Sequence, residues 1–89
     1  MDDALESLND TPRKSAEELL RSARNGNASA QDQVGDAYWY GEGFEEDKAE
    51  AVKWYRLAAE QGNASAQYNL GYAYSEGEGV EQDKAEAVR

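Results

Sequence analysis

The 89-residue sequence contains no cysteine and no histidine, a single proline, one phenylalanine and one methionine. Without cysteine there are neither disulfides nor thiolate metal sites, and without histidine the commonest zinc ligand and the commonest catalytic base are also missing. Positive charge is scarce as well: nine Lys and Arg stand against nineteen Asp and Glu, a formal charge of −10. That balance opposes attraction to phosphate backbones and to anionic lipid surfaces, so nucleic acid and membrane are excluded as expected partners and a basic partner is favoured. No apolar run is long enough to cross a bilayer, and the opening MDDALESLND has neither the positive region nor the apolar stretch of a secretory signal. The chain therefore reads as soluble, with the cytoplasm preferred and an exported chain left open, since absent cysteine fits either compartment. A compact chain of this length buries only about 60–65% of the surface it exposes when unfolded, so any core is thin.

What is present is a repeat. The hexapeptide GNASAQ occurs at Gly26–Gln31 and again at Gly62–Gln67, and residues 26–53 and 62–89 agree at 19 of 28 positions at this offset of 36 (62 − 26). Such self-similarity points to a repeat architecture before any motif is considered. Each copy runs from GNASAQ through a helical apolar pattern to a glycine-rich hinge, YGEGFEED in the first and SEGEGVEQD in the second. DKAEAVKWYRLAAEQ follows the first hinge; it is free of Gly and Pro and rich in helix formers. Asp47 suits its N-cap, and Glu50 stands at capping-box spacing. The same offset places Thr11 and Pro12 where Asp47 and Lys48 stand, a good N-cap followed by the residue favoured at the first helical position. The spacing thus predicts an acidic, flexible tail at 1–10, helices at about 12–25, 28–40, 48–61 and 64–76, and a helical stub at 84–89. No segment carries a strand pattern. The expected fold is all-α: a half repeat at 11–25, a full repeat at 26–61 and a truncated one at 62–89.

The pattern formed by Ala30, Val34, Gly35, Tyr38, Gly41, Gly43, Phe44, Asp47, Ala51, Trp54, Tyr55, Ala58, Ala59, Glu60, Gln61 and Gly62 resembles the Sel-one-like repeat (SLR), a relative of the tetratricopeptide repeat. The resemblance covers about residues 11–89. It implies an α-solenoid of antiparallel helix pairs that serves as an adaptor or scaffold for protein complexes in signalling and quality control. The second copy stops before counterparts of Trp54, Tyr55, Ala58 and Ala59, and a last helix of about two turns is marginal by itself. A fragment of a longer array, or a unit that self-associates through its incomplete C-terminal helix, would both account for that.

Comparison of the two copies divides the first helix of each into faces. Ala30, Val34, Gly35, Ala37, Tyr38 and Gly41 keep their character across the offset and share one helical stripe, the packing face. Gly35 and Gly71 lie within it, where a missing side chain allows close approach. The pairs that differ are Asp32/Tyr68, Gln33/Asn69, Asp36/Tyr72, Trp39/Ser75 and Tyr40/Glu76, which form a second stripe. By the resemblance, the first helix of each pair lines a concave groove, so this stripe faces it. Aromatic rings beside carboxylates suit a protein or peptide interface and select basic partners. Filling of gaps between helices is the other reading for Trp39, Tyr40, Tyr68 and Tyr72, whereas Tyr38, Trp54, Tyr55 and Tyr74 read as packing residues.

Other chemistries find no support in the residues. Glu42, Glu45, Glu46 and Asp47, with Glu76, Glu78, Glu81 and Asp83, lack the EF-hand spacing and read as solvated loop charge and helix caps. The GEG segments have no following Lys-Ser/Thr and read as turns. Ser29, Ser65 and Ser75 have no histidine to activate them. No pair among the carboxylates stands out for glycoside chemistry, and a thin solenoid offers little depth for shifting a carboxyl pKa. The reading is a non-catalytic interaction module without metal or cofactor.

Overall fold

The computed structural model describes residues 15–77. Within them lie four helices and no strand: α1 over 15–24, α2 at Ala28–Tyr40, α3 at Lys48–Glu60 and α4 at Ala64–Glu76. The expected tail, Thr11, Pro12 and the stub at 84–89 lie outside the described residues. The expected ends at Asn25 and Gln61 are shortened by one residue, Gln61 serving as the cap of α3.

GNASAQ builds the joints. Gly26 and Gly62 end the preceding helices at φ +99° and +93°, a left-handed region that glycine enters without strain. At each joint the glycine N–H donates to the carbonyl three residues back, Ala23 or Ala59, and the next asparagine N–H to the carbonyl five residues back, Ser22 or Ala58. This is the Schellman pattern. The same asparagine caps the next helix, Asn27 Oδ1 accepting from Ala30 N and Asn63 Oδ1 from Ala66 N, both at 2.8 Å. Ala30 and Ala66 are buried where the new helix leaves the old one. Finally Gln31 Nε2 donates to the Ala23 carbonyl and Gln67 Nε2 to the Ala59 carbonyl, giving each a second donor beside the glycine amide. Every residue type in the hexapeptide except the serine thus has a place in the joint, and the serine, at 29 and 65, is exposed.

At the start of α3, Asp47 Oδ1 accepts from Glu50 N at 3.0 Å, as a cap should. The reciprocal half of the capping box does not form, because Asp47 N already donates to the Tyr38 carbonyl. Glu50 lies 3.6 Å from Lys53 instead. The Asp47–Tyr38 bond joins the start of α3 to the end of α2, and Gln61 Nε2 donates to Gln31 Oε1 at the other end, so the two helices run antiparallel. Gln67 bonds to Ala59 at the joint, and Ala73 near the end of α4 packs in one cluster with Ala51 and Val52 near the start of α3, so α4 runs antiparallel to α3. Two small apolar clusters result. Ala23, Ala30 and Val34 pack with Leu19, Leu20, Phe44 and Trp54; Trp39, Ala51, Val52, Tyr55 and Ala73 pack with Leu70; Tyr38 touches both and stacks on Phe44 with centroids 4.5 Å apart.

Candidate functional site

Because α3 is antiparallel to both neighbours, α2 and α4 run parallel to each other. Asn69 Nδ2 donates to Asp32 Oδ1 across this pair at 3.1 Å, and the Trp39 ring meets Tyr72 edge-on with centroids 6.3 Å apart. Between the two helices lies a hollow of about 310 Å³, lined by Trp39, Tyr40, Tyr68, Asn69 and Tyr72, with Tyr55 of α3 as the further lining residue. Three of its rings are strongly exposed: Tyr68 at 74%, Tyr40 at 67% and Tyr72 at 49%. Trp39 is 8% exposed and packs into the second cluster, so it supplies a wall to the hollow from within the core. Its ring also carries Lys48 Nζ at 4.6 Å from the centroid, and that ammonium donates to the Trp39 carbonyl and to Glu46.

The differing stripe is therefore divided in space. Five of its ten residues line the hollow between α2 and α4. Gln33 and Asp36 line a second cleft, of about 300 Å³, with Ser15, Ala16 and Leu19 of α1 and Ala37 and Glu42. Gln33 is exposed and donates to Ser29 Oγ. Asp32 is 8% exposed and lies behind Asn69. Ser75 is half-buried, and Glu76 is exposed at the end of α4. Helical periodicity placed all ten on one side of their helices, but only the positions of neighbouring helices could separate them.

Tyr55 is the lining residue that the sequence assigned to packing alone. It is 2% exposed and its hydroxyl donates to Asp36 Oδ1 at 2.6 Å. Burial holds the Tyr55 hydroxyl far above the ordinary phenol range, and the bond to Asp36 adds to this. Burial likewise raises the Asp36 carboxyl; the Tyr55 hydroxyl opposes the rise, and the charges of Asp32 and Glu42 add to it. Nothing in the sequence distinguishes Tyr55 from other packing rings, since its apolar neighbours Ala51 and Ala58 give the ordinary signature of a buried helix face.

Chemically, the arrangement offers exposed aromatic surface over a few fixed polar atoms. Among the described residues no group of three or more acidic side chains is placed to hold a metal ion. No described helix is long and apolar enough to cross a membrane.

Stacked antiparallel helix pairs whose first helices run parallel define an α-solenoid repeat protein. The Sel1 repeat model matches residues 28–63 and 64–89, and the chain belongs to the Sel1 repeat family. Both matched segments open at the first residue of a helix, two residues after the glycine of the joint. Among solved structures the chain is similar to a protective antigen present in uropathogenic Escherichia coli strains that displays an SLR fold. The identity is 44% at a TM-score of 0.83, covering 84% of this chain and 16% of the antigen. It is also similar to a Sel1 repeat protein from Oxalobacter formigenes, at 39% identity and a TM-score of 0.82, covering 85% of this chain and 31% of that one. The chain thus spans less than a third of the length of either relative. No curated protein matches it. Sel1 repeats are generally protein–protein interaction modules.

Proposed function

We infer that this chain is a non-catalytic interaction module that binds an extended segment of a protein along the hollow between α2 and α4. The observation that carries this reading is the gathering of Tyr40, Tyr68 and Tyr72, each about half exposed or more, around one hollow. Exposed rings that converge on a concavity bury large area at small entropic cost when a partner docks, and such rings dominate binding energy at interfaces. The two copies also diverge at these positions while their joints repeat residue for residue, as expected where packing does not dictate the side chain. The net charge of −10 disfavours nucleic acid and anionic lipid as the occupant.

A random-peptide display selection tests the reading directly. Peptides enriched on the wild-type chain are expected to lose binding to a Tyr68→Ala/Tyr72→Ala variant. Enriched peptides that bind both proteins equally would place the binding face elsewhere.

A further inference from the structure

The orientation of Asn69, in the lining of the hollow, is set by an aspartate outside that lining. Asp32 is buried, and Asn69 presents its amide nitrogen to Asp32 Oδ1 at 3.1 Å. That orientation leaves Asn69 Oδ1 as the free acceptor of a residue lining the hollow. The Tyr55 hydroxyl is committed to Asp36, donating to it at 2.6 Å. Asn69 is thus fixed by a side chain outside the lining, and it cannot turn its amide nitrogen to a ligand without breaking that bond.

The charges agree with the hydrogen bonding. Neither Ala28–Tyr40 nor Ala64–Glu76 contains a lysine or arginine, whereas Asp32, Asp36 and Glu76 lie on them. Of the described cations that touch these two helices, Lys48 is held by Glu46 and the Trp39 carbonyl, and Arg56 lies against the Tyr74 ring. The walls are tyrosine and tryptophan faces, whose negative quadrupole attracts a cation, and Lys48 over Trp39 uses that attraction already.

We propose that the hollow between α2 and α4 receives the guanidinium of an arginine side chain from the bound segment. A planar guanidinium stacks on exposed tyrosine faces and brings donors to the Asn69 Oδ1 acceptor. An apolar side chain would leave Asn69 Oδ1 unpaired, and a carboxylate would face that acceptor and the negative field of both helices. The proposal rests on the groove reading and names the side chain that the groove recognises.

The test is titration of the isotope-labelled chain with three capped pentapeptides, identical except for a central arginine, lysine or citrulline, followed by amide, indole and tyrosine-ring shifts. The arginine peptide is expected to move Trp39, Asn69, Tyr68 and Tyr72 within about 10 mM, the range open to a single side-chain contact. Citrulline keeps the planar shape and loses the charge, so binding should weaken about three- to tenfold. Lysine should fall between them, and Tyr68→Ala with Tyr72→Ala should abolish the response. Equal binding of citrulline at the same residues would overturn the arginine assignment and leave the groove reading standing. Shifts confined to other residues would overturn both, and an arginine peptide that moves nothing would overturn the assignment outright.

Discussion

A Cβ built on Gly35 would lie 2.5 Å from Tyr55 Cε1 and 3.2 Å from the Ala51 carbonyl oxygen. The absent side chain is what seats the Tyr55 ring, and with it the bond from its hydroxyl to Asp36. In an ordinary helix interior, Gly35→Ala would gain about 1 kcal/mol from propensity. Here the added Cβ would meet the Tyr55 ring and the Ala51 backbone, and overpacking costs about 1–3 kcal/mol. Urea unfolding is expected to show net destabilisation, with weaker peptide binding as well; a stabilised Gly35→Ala variant would contradict the close approach.

Asp36 gives a pH prediction whose sign follows from its raised pKa. The folded carboxyl holds its proton more tightly than the unfolded one, so its contribution to stability is full below the ordinary value of 3.8 and is lost as pH rises through the raised one. Asp36→Asn removes this loss while Oδ1 of the amide still accepts from Tyr55. The stability of the variant minus that of the wild type should therefore grow as pH rises from 3.8 through the raised pKa. Parallel stability curves for the two proteins, from denaturant titrations across that window, would show that the carboxyl is not perturbed by folding.

The two N-caps should be equivalent in kind. Asn27→Ala and Asn63→Ala each remove an acceptor at 2.8 Å from a helix amide, and each should cost about 0.5–2 kcal/mol in chemical denaturation. Substitution by aspartate should recover most of the loss. A cap whose removal changes nothing would mean that water serves that amide equally well.

Tyr68 and Tyr72 should separate binding from folding. They are 74% and 49% exposed, so Tyr68→Ala is expected to stay within about 0.5 kcal/mol of wild type, the range of exposed substitutions. Tyr72→Ala should cost slightly more, because its ring meets Trp39 edge-on, a contact worth about 0.5–1.5 kcal/mol. Trp39→Ala, by contrast, empties a core position and should destabilise by about 3–5 kcal/mol, which makes it a poor probe of binding.

The local rules carried far in this chain because they act within a few residues. Gly26 and Gly62 needing positive φ, Asn27, Asn63 and Asp47 needing to cap, and a 3.6-residue stripe needing to be buried all leave their mark in adjacent positions, so α2 and α4 matched their expected spans residue for residue. Even there one local rule yielded: Glu50 has capping-box spacing, but the amide it would serve belongs to Tyr38, nine residues back in the preceding helix.

The sequence alone determined the helices, their joints, the all-α repeat and the stripe on which the two copies differ, because each depends on short-range periodicity or on the copies being read side by side. Only the tertiary structure decided which members of that stripe meet. Parallel alignment of α2 and α4 puts Trp39 and Tyr40 beside Tyr68, Asn69 and Tyr72, sends Gln33 and Asp36 to a cleft against α1, and buries Asp32 behind Asn69. The placement of Tyr55 beneath them depends on a third helix passing close over Gly35. Distances between helices are fixed by packing among residues far apart in the chain, and no local pattern encodes them.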